Sequence, residues 1–78
     1  MGVLLRGKVQ FLAAATAKRI VANAWEIRVP FSPETERLFG KGLTGLDGTV
    51  FVLGGDETEP GMISAEDKTG VTVTAWIL

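Results

Sequence analysis

The chain has 78 residues, enough for one small domain, and lacks both cysteine and histidine, which excludes disulfides and the usual Cys/His zinc sites. Hydrophobic residues make up 46% of it and charged residues 22%, a balance that favours a packed core over disorder. The net charge of −1 hides a polarity: residues 1–28 carry five cationic side chains against one carboxylate, and residues 29–78 carry three against eight.

A single core of this size leaves a thin stability margin, and without disulfides or zinc the supplement left is good packing or self-association. No apolar run approaches the ~18 residues that a membrane span needs. The apolar start Met1-Gly2-Val3-Leu4-Leu5 is broken by Arg6 and Lys8, so it makes no signal-peptide core. The expectation is a cytoplasmic domain over residues 1–78, with no membrane contact and no small-molecule cofactor.

From Val3 to Ala13 the odd positions read Val, Leu, Gly, Val, Phe, Ala, while positions 6, 8 and 10 are Arg, Lys and Gln. That period of two predicts a strand with a core face and a wet basic face. Between Lys18 and Val29, Val21, Trp25, Ile27 and Val29 share one parity. A hairpin turning near Ala15 would set Leu5 opposite Trp25 and Val9 opposite Val21, with Arg6 and Lys8 beside small alanines. A second reading stands beside it. Residues 11–26 are rich in alanine, Thr16, Arg19, Asn23 and Glu26 recur at helical spacing, and residues 13–17 hold no turn former. An Ala-rich helix therefore competes with the hairpin.

Pro30-Phe31-Ser32-Pro33 ends this region. Ser32 suits an N-cap, Pro33 suits the first helical turn, and Glu34 and Glu36 favour the positive end of the dipole. A short helix at about 33–39 follows, anchored by Leu38 and Phe39 and stopped by Gly40. Residues 40–48 read as a flexible glycine-rich connection ending in an Asp-Gly turn. Thr49 to Leu53 is apolar on both faces, as in a central strand. Residues 54–61 form an acidic loop, Met62-Ile63-Ser64 a short edge strand, and residues 66–70 a turn. Val71 to Leu78 alternates cleanly and makes the last strand. The sum is a mainly β domain: a small twisted or partly closed barrel of four to five strands with one short helix, with an architecture like oligonucleotide-binding or SH3-like barrels.

The chemistry argues against an enzyme. Without His, Cys or Tyr, proton transfer falls to Asp, Glu or Lys, and the carboxylates at 55–67 sit in polar loops where solvation keeps them ordinary. A weak cation site there has oxygen ligands but not the spacing of an EF-hand loop. Gly40, Gly42 and Gly45 match G-x-G-x-x-G but follow a helix and precede a strand, the reverse of the dinucleotide-binding order. The basic set carries the first functional reading. Arg6, Lys8, Lys18, Arg19 and Arg28 would hold phosphates of single-stranded nucleic acid while Trp76, on the non-core parity of the last strand, stacks on a base. Phe11 and Trp25 share parity with core residues and read as packing. The alternative is a protein-interaction or homo-oligomer module whose contact is the terminal strand with Trp76.

Overall fold

A computed structural model describes residues 1–78. It is mainly β, with 53% strand and 17% helix, in two four-stranded antiparallel sheets. The first sheet combines β1 (Gly2–Leu5), β2 (Lys8–Phe11), β5 (Val50–Leu53) and β6 (Asp56–Glu57) in the order β2-β1-β5-β6. The second combines β3 (Thr16–Val21), β4 (Ala24–Pro30), β7 (Met62–Glu66) and β8 (Gly70–Trp76) in the order β3-β4-β8-β7. There are thus eight strands where four to five are expected, and no closed barrel.

The extra strands arise in the first thirty residues. The expected long strand from Val3 to Ala13 is a hairpin in its own right, turning at Arg6-Gly7. Both turn residues have positive φ, 52° and 78°, as a mirror-image two-residue turn requires. A second tight hairpin, β3–β4, turns at Ala22-Asn23. Residues 11–26 therefore form neither the expected hairpin about Ala15 nor a helix. Leu12 to Ala15 instead carries the chain from one sheet to the other, with Leu12 and Ala15 turned into the core.

The helix reading holds. α1 (Pro33–Phe39) is capped by Ser32, whose hydroxyl accepts from the Thr35 backbone N–H at 3.1 Å. The Thr35 hydroxyl accepts from the Ser32 N–H at 3.0 Å, closing a capping box, and donates to the Pro30 carbonyl at 2.8 Å. Thr35 is fully buried, so each of these bonds offsets a desolvated polar group. Residues 40–48 are not a loose connection. Lys41–Leu46 winds in tight 3-10 turns, kinked at Gly42 and Leu43, and buries Leu43 and Leu46.

The core unites Val3 and Phe51 from the first sheet, Ile27, Val29, Val71, Val73 and Ala75 from the second, and Phe39, Leu43 and Leu46 from the helical segment. One side of the sandwich is stitched. Thr58 bridges to Ile77, the Glu59 N–H donates to the Trp76 carbonyl at 2.7 Å, and the Gly61 N–H donates to Thr49 at 2.8 Å. On the opposite side β2 and β3 are both edge strands, exposed at every residue.

Candidate interaction surfaces

The Arg6-Gly7 turn decides what the first sheet shows to solvent. In a two-residue hairpin the residues facing each other have opposite parity, and here Leu5 pairs with Lys8, Leu4 with Val9 and Gly2 with Phe11. Odd residues of β1 therefore share a face with even residues of β2. Val3 points into the core, and Gln10, paired with it, lies on that same side. Val9 and Phe11 lie on the outer side with Leu4. Phe11, expected in the core, is thus exposed on the outer side, while Lys8 and Gln10 lie on the core side of the sheet and, like Arg6 in the turn, remain in solvent as expected.

The outer side of this sheet is apolar across three strands. Leu4 and Gly2 on β1 sit between Val9 and Phe11 on β2 and Val50 and Val52 on β5. A Cβ placed on Gly2 would stand 3.0 Å from Val9 Cγ1 and 3.2 Å from Val52 Cβ, so those two valines close over the glycine. Val9 is 60% and Phe11 72% exposed. Isolated exposed apolar side chains are ordinary, but contiguous ones mark a contact surface.

The backbone of β2 adds to this. The pair flanking a two-residue turn is hydrogen-bonded, and bonding alternates thereafter. Leu5–Lys8 and Val3–Gln10 are the bonded pairs, so the N–H and C=O groups of Val9 and Phe11 point away from the sheet. The other three edges carry the devices that block strand addition. β3 has Lys18, Arg19 and a bulge between Arg19 and Val21; β6 has two acidic residues only; β7 has a bulge between Ile63 and Ala65 and ends in Glu66. After Lys8, β2 has none.

The basic residues do not form one patch. Arg6 occupies the first hairpin turn and Lys8 pairs with Leu5. Lys18 lies opposite Glu26 on the outer side of the second sheet, and Arg19, opposite Trp25, lies on the other side of β3. Arg28 is engaged elsewhere. Its guanidinium donates to Thr72 Oγ1 at 3.0 Å and Thr69 Oγ1 at 2.7 Å, and it forms the one ion pair in the protein, with Asp67. Trp76 is half-buried and pairs with Ala24. Its strand is bonded along both edges, so β8 offers a contact only through its outer side. In the acidic region 55–67 no three carboxylates come together. Gly40, Gly42 and Gly45 belong to the 3-10 turns, and a Cβ on Gly45 would stand 2.7 Å from the Phe39 carbonyl oxygen, which leaves no room for a ligand there.

Sequence reasoning missed three contributors: Val9, Phe11 and Arg37. Arg37, in the last turn of α1, lines a pocket with Leu5, Arg6, Gln10 and Leu38. The usable signal was Gly7, a lone glycine interrupting an otherwise regular alternation.

No family model, curated protein or solved structure matches this chain, so these surfaces are read from geometry and chemistry alone.

Asp67 gives one testable consequence. Its Oδ1 accepts from the Thr69 N–H at 2.8 Å, the Thr69 hydroxyl at 2.8 Å and the Gly70 N–H at 3.2 Å, besides Arg28. The Thr69 backbone bond first, then the Thr69 hydroxyl and Arg28, hold this carboxyl well below the usual range. A depressed folded value stabilises the fold fully above the unfolded value, about 3.9, and that contribution drains away as pH falls below it. Asp67→Asn is therefore expected to flatten the decline of Tm between about pH 4 and pH 2. Parallel Tm–pH curves for the two chains would show that the turn does not use the charge.

Proposed function

We propose that this chain is a non-catalytic interaction module that associates with a second copy of itself along β2. The observation that carries the reading is the open β2 edge, whose outward backbone groups belong to the same residues, Val9 and Phe11, that carry the exposed apolar side chains. A two-fold axis through Gln10 sets Val9 opposite the partner's Phe11 and Phe11 opposite the partner's Val9. Both are then hydrogen-bonded pairs, and the outer sides of the two sheets join into one apolar surface. Gln10 meets its own copy without charge repulsion. Lys8 falls at the ends of the pairing, about 13 Å from its symmetry mate at ~3.3 Å per residue, beyond one Debye length at physiological salt.

The magnitudes set the strength. Edge-to-edge pairing covers only one flank of each valine and phenylalanine, so the four contribute roughly 3–6 kcal/mol, half of full burial, and four backbone hydrogen bonds about 1 kcal/mol each. The association cost is about 4–15 kcal/mol, so the dimer has micromolar strength or weaker. Sedimentation velocity from about 10 μM to 1 mM is expected to show a concentration-dependent dimer. Phe11→Lys is expected to remain monomeric throughout with an unchanged Tm, because its side chain is already in water. A wild-type chain that stays monomeric at about 1 mM, or a Phe11→Lys chain that dimerises equally well, would overturn the reading.

Single-stranded nucleic acid is the second reading. Its support is that Arg6, Lys8, Lys18 and Arg19 form no ion pair, although Glu26 lies across the ladder from Lys18. Arg28 contributes least to it, because Asp67 already holds its guanidinium.

A further inference from the structure

The turn that exposes Phe11 also places Arg6 at a pocket that Arg37 lines from α1. Arg6 takes the first position of the β1–β2 turn with φ 52°, a left-handed conformation that glycine, asparagine and aspartate adopt far more easily. Non-glycine residues held in this region concentrate at functional sites. Gln10 shares the core-side face of the hairpin with Val3, and the last turn of α1 brings Arg37 and Leu38 up to it. Leu5, Arg6, Gln10, Arg37 and Leu38 line a half-open surface pocket of about 130 Å³.

The lining holds two guanidinium groups and a carboxamide, and no carboxylate. Neither Glu34 nor Glu36, Arg37's neighbours on α1, comes within ion-pair distance of it, and Glu36 Oε2 instead accepts from the Gly42 N–H at 3.4 Å. Two side walls are leucine, which lowers the local dielectric and strengthens any ion–guanidinium attraction. The volume equals about four waters at ~30 Å³ each, well under the ~300–1,000 Å³ typical of small-molecule pockets. It admits one tetrahedral oxyanion and leaves the rest of a larger ligand outside. Two positive charges match a phosphate monoester, about −1.5 to −2 at neutral pH, better than a single carboxylate.

We infer that Arg6, Gln10 and Arg37 form a binding site for a terminal phosphate group. Each guanidinium donates to two phosphate oxygens, the Gln10 amide donates to a third contact, and Leu5 and Leu38 exclude water from one side. The site shares Gln10 with the β2 self-association, because Gln10 lies on the two-fold axis of that pairing, whereas Arg37 and Leu38 belong to α1 and the apolar surface lies on the other side of the hairpin.

The test is a backbone-amide NMR titration with inorganic phosphate at constant ionic strength, with chloride as the control. Saturable shifts are expected at Leu5 to Gln10 and at Arg37-Leu38. Arg37→Gln and Arg6→Gln, both at exposed positions, are each expected to weaken binding by about 10-fold with the Tm retained. Equal shifts with chloride, or phosphate binding untouched by either variant, would overturn the site. Single strands with and without a 5′-phosphate then locate the source. Competition by the phosphorylated strand alone supports the site with nucleic-acid ends as ligand, and competition by neither supports it with a small phosphorylated molecule. Repeating the titration on Phe11→Lys separates the site from the dimer: shifts retained in that monomer support it, and shifts lost there would reassign the phosphate to the dimer.

Discussion

Phe51→Ala is expected to cost about 3–5 kcal/mol of folding stability, the range for removing a buried aromatic side chain. A domain of this length has a total margin of roughly 4–12 kcal/mol, so the variant loses between about a quarter and all of it. Phe51 lies in β5, has no solvent exposure, and faces Val3 across the sheet. Its backbone carbonyl accepts from the Thr58 N–H at 2.9 Å, and its N–H donates to the Thr58 hydroxyl at 3.0 Å. The cavity left by the ring therefore opens beneath a segment that cannot slide to fill it. Phe11→Ala is the matched control, the same truncation at a 72% exposed position, with an expected cost below ~0.5 kcal/mol in the monomer. Urea denaturation of both variants at low protein concentration measures the difference. Equal losses for the two would contradict the inside-out assignment of the β1–β2 hairpin.

That assignment is also where the amino-acid sequence was least readable. α1 was legible because local chemistry specifies it: Ser32 caps it, Pro33 fits its first turn, and Gly40 stops it. β5 and β8 were legible from their apolar pattern. The Arg6-Gly7 turn was not, because arginine is a poor resident of a left-handed position and the flanking alternation runs straight through it. Missing one turn inverts the facing of β2, so Phe11 reads as core, and Lys8 and Gln10, exposed as expected, read as belonging to the opposite side of the sheet. Residues 40–48 misled for a different reason. Their glycines signal flexibility locally, but Leu43 and Leu46 are held by burial against the rest of the core, a tertiary term that composition does not carry. The pocket is invisible for the same cause: Arg37 is 31 residues from Arg6, and only the tertiary fold brings both to one surface pocket.

Gly70→Ala is expected to be the most damaging of the conservative substitutions, at about 3 kcal/mol or more, the upper part of the range for overpacking. Gly70 begins β8 opposite Pro30, and a Cβ there would stand 2.4 Å from the Val29 carbonyl oxygen and 2.7 Å from Pro30 Cα. These are backbone atoms, fixed by a ladder that runs without a break from Ala24–Trp76 to Pro30–Gly70. A glycine-to-alanine change elsewhere gains about 0.4–1 kcal/mol through the unfolded chain, which is too small to offset this clash. Relief requires Gly70 to withdraw, and that carries the Asp67 turn with it, since the Asp67 N–H donates to the Gly70 carbonyl at 3.0 Å. Asp67 then loses the Gly70 N–H and its alignment with Thr69 and Arg28. The variant should therefore lose stability at neutral pH and also show the flattened acid response expected of Asp67→Asn. Gly2→Ala is the milder control, because Val9 Cγ1 at 3.0 Å can rotate away and Val52 Cβ at 3.2 Å need yield only a few tenths of an ångström. Thermal unfolding of the two variants across acid and neutral pH reads both effects together. A Gly70→Ala chain as stable as Gly2→Ala would mean that the β4–β8 ladder yields at its end, and the coupling between that ladder and the Asp67 turn would fall with it.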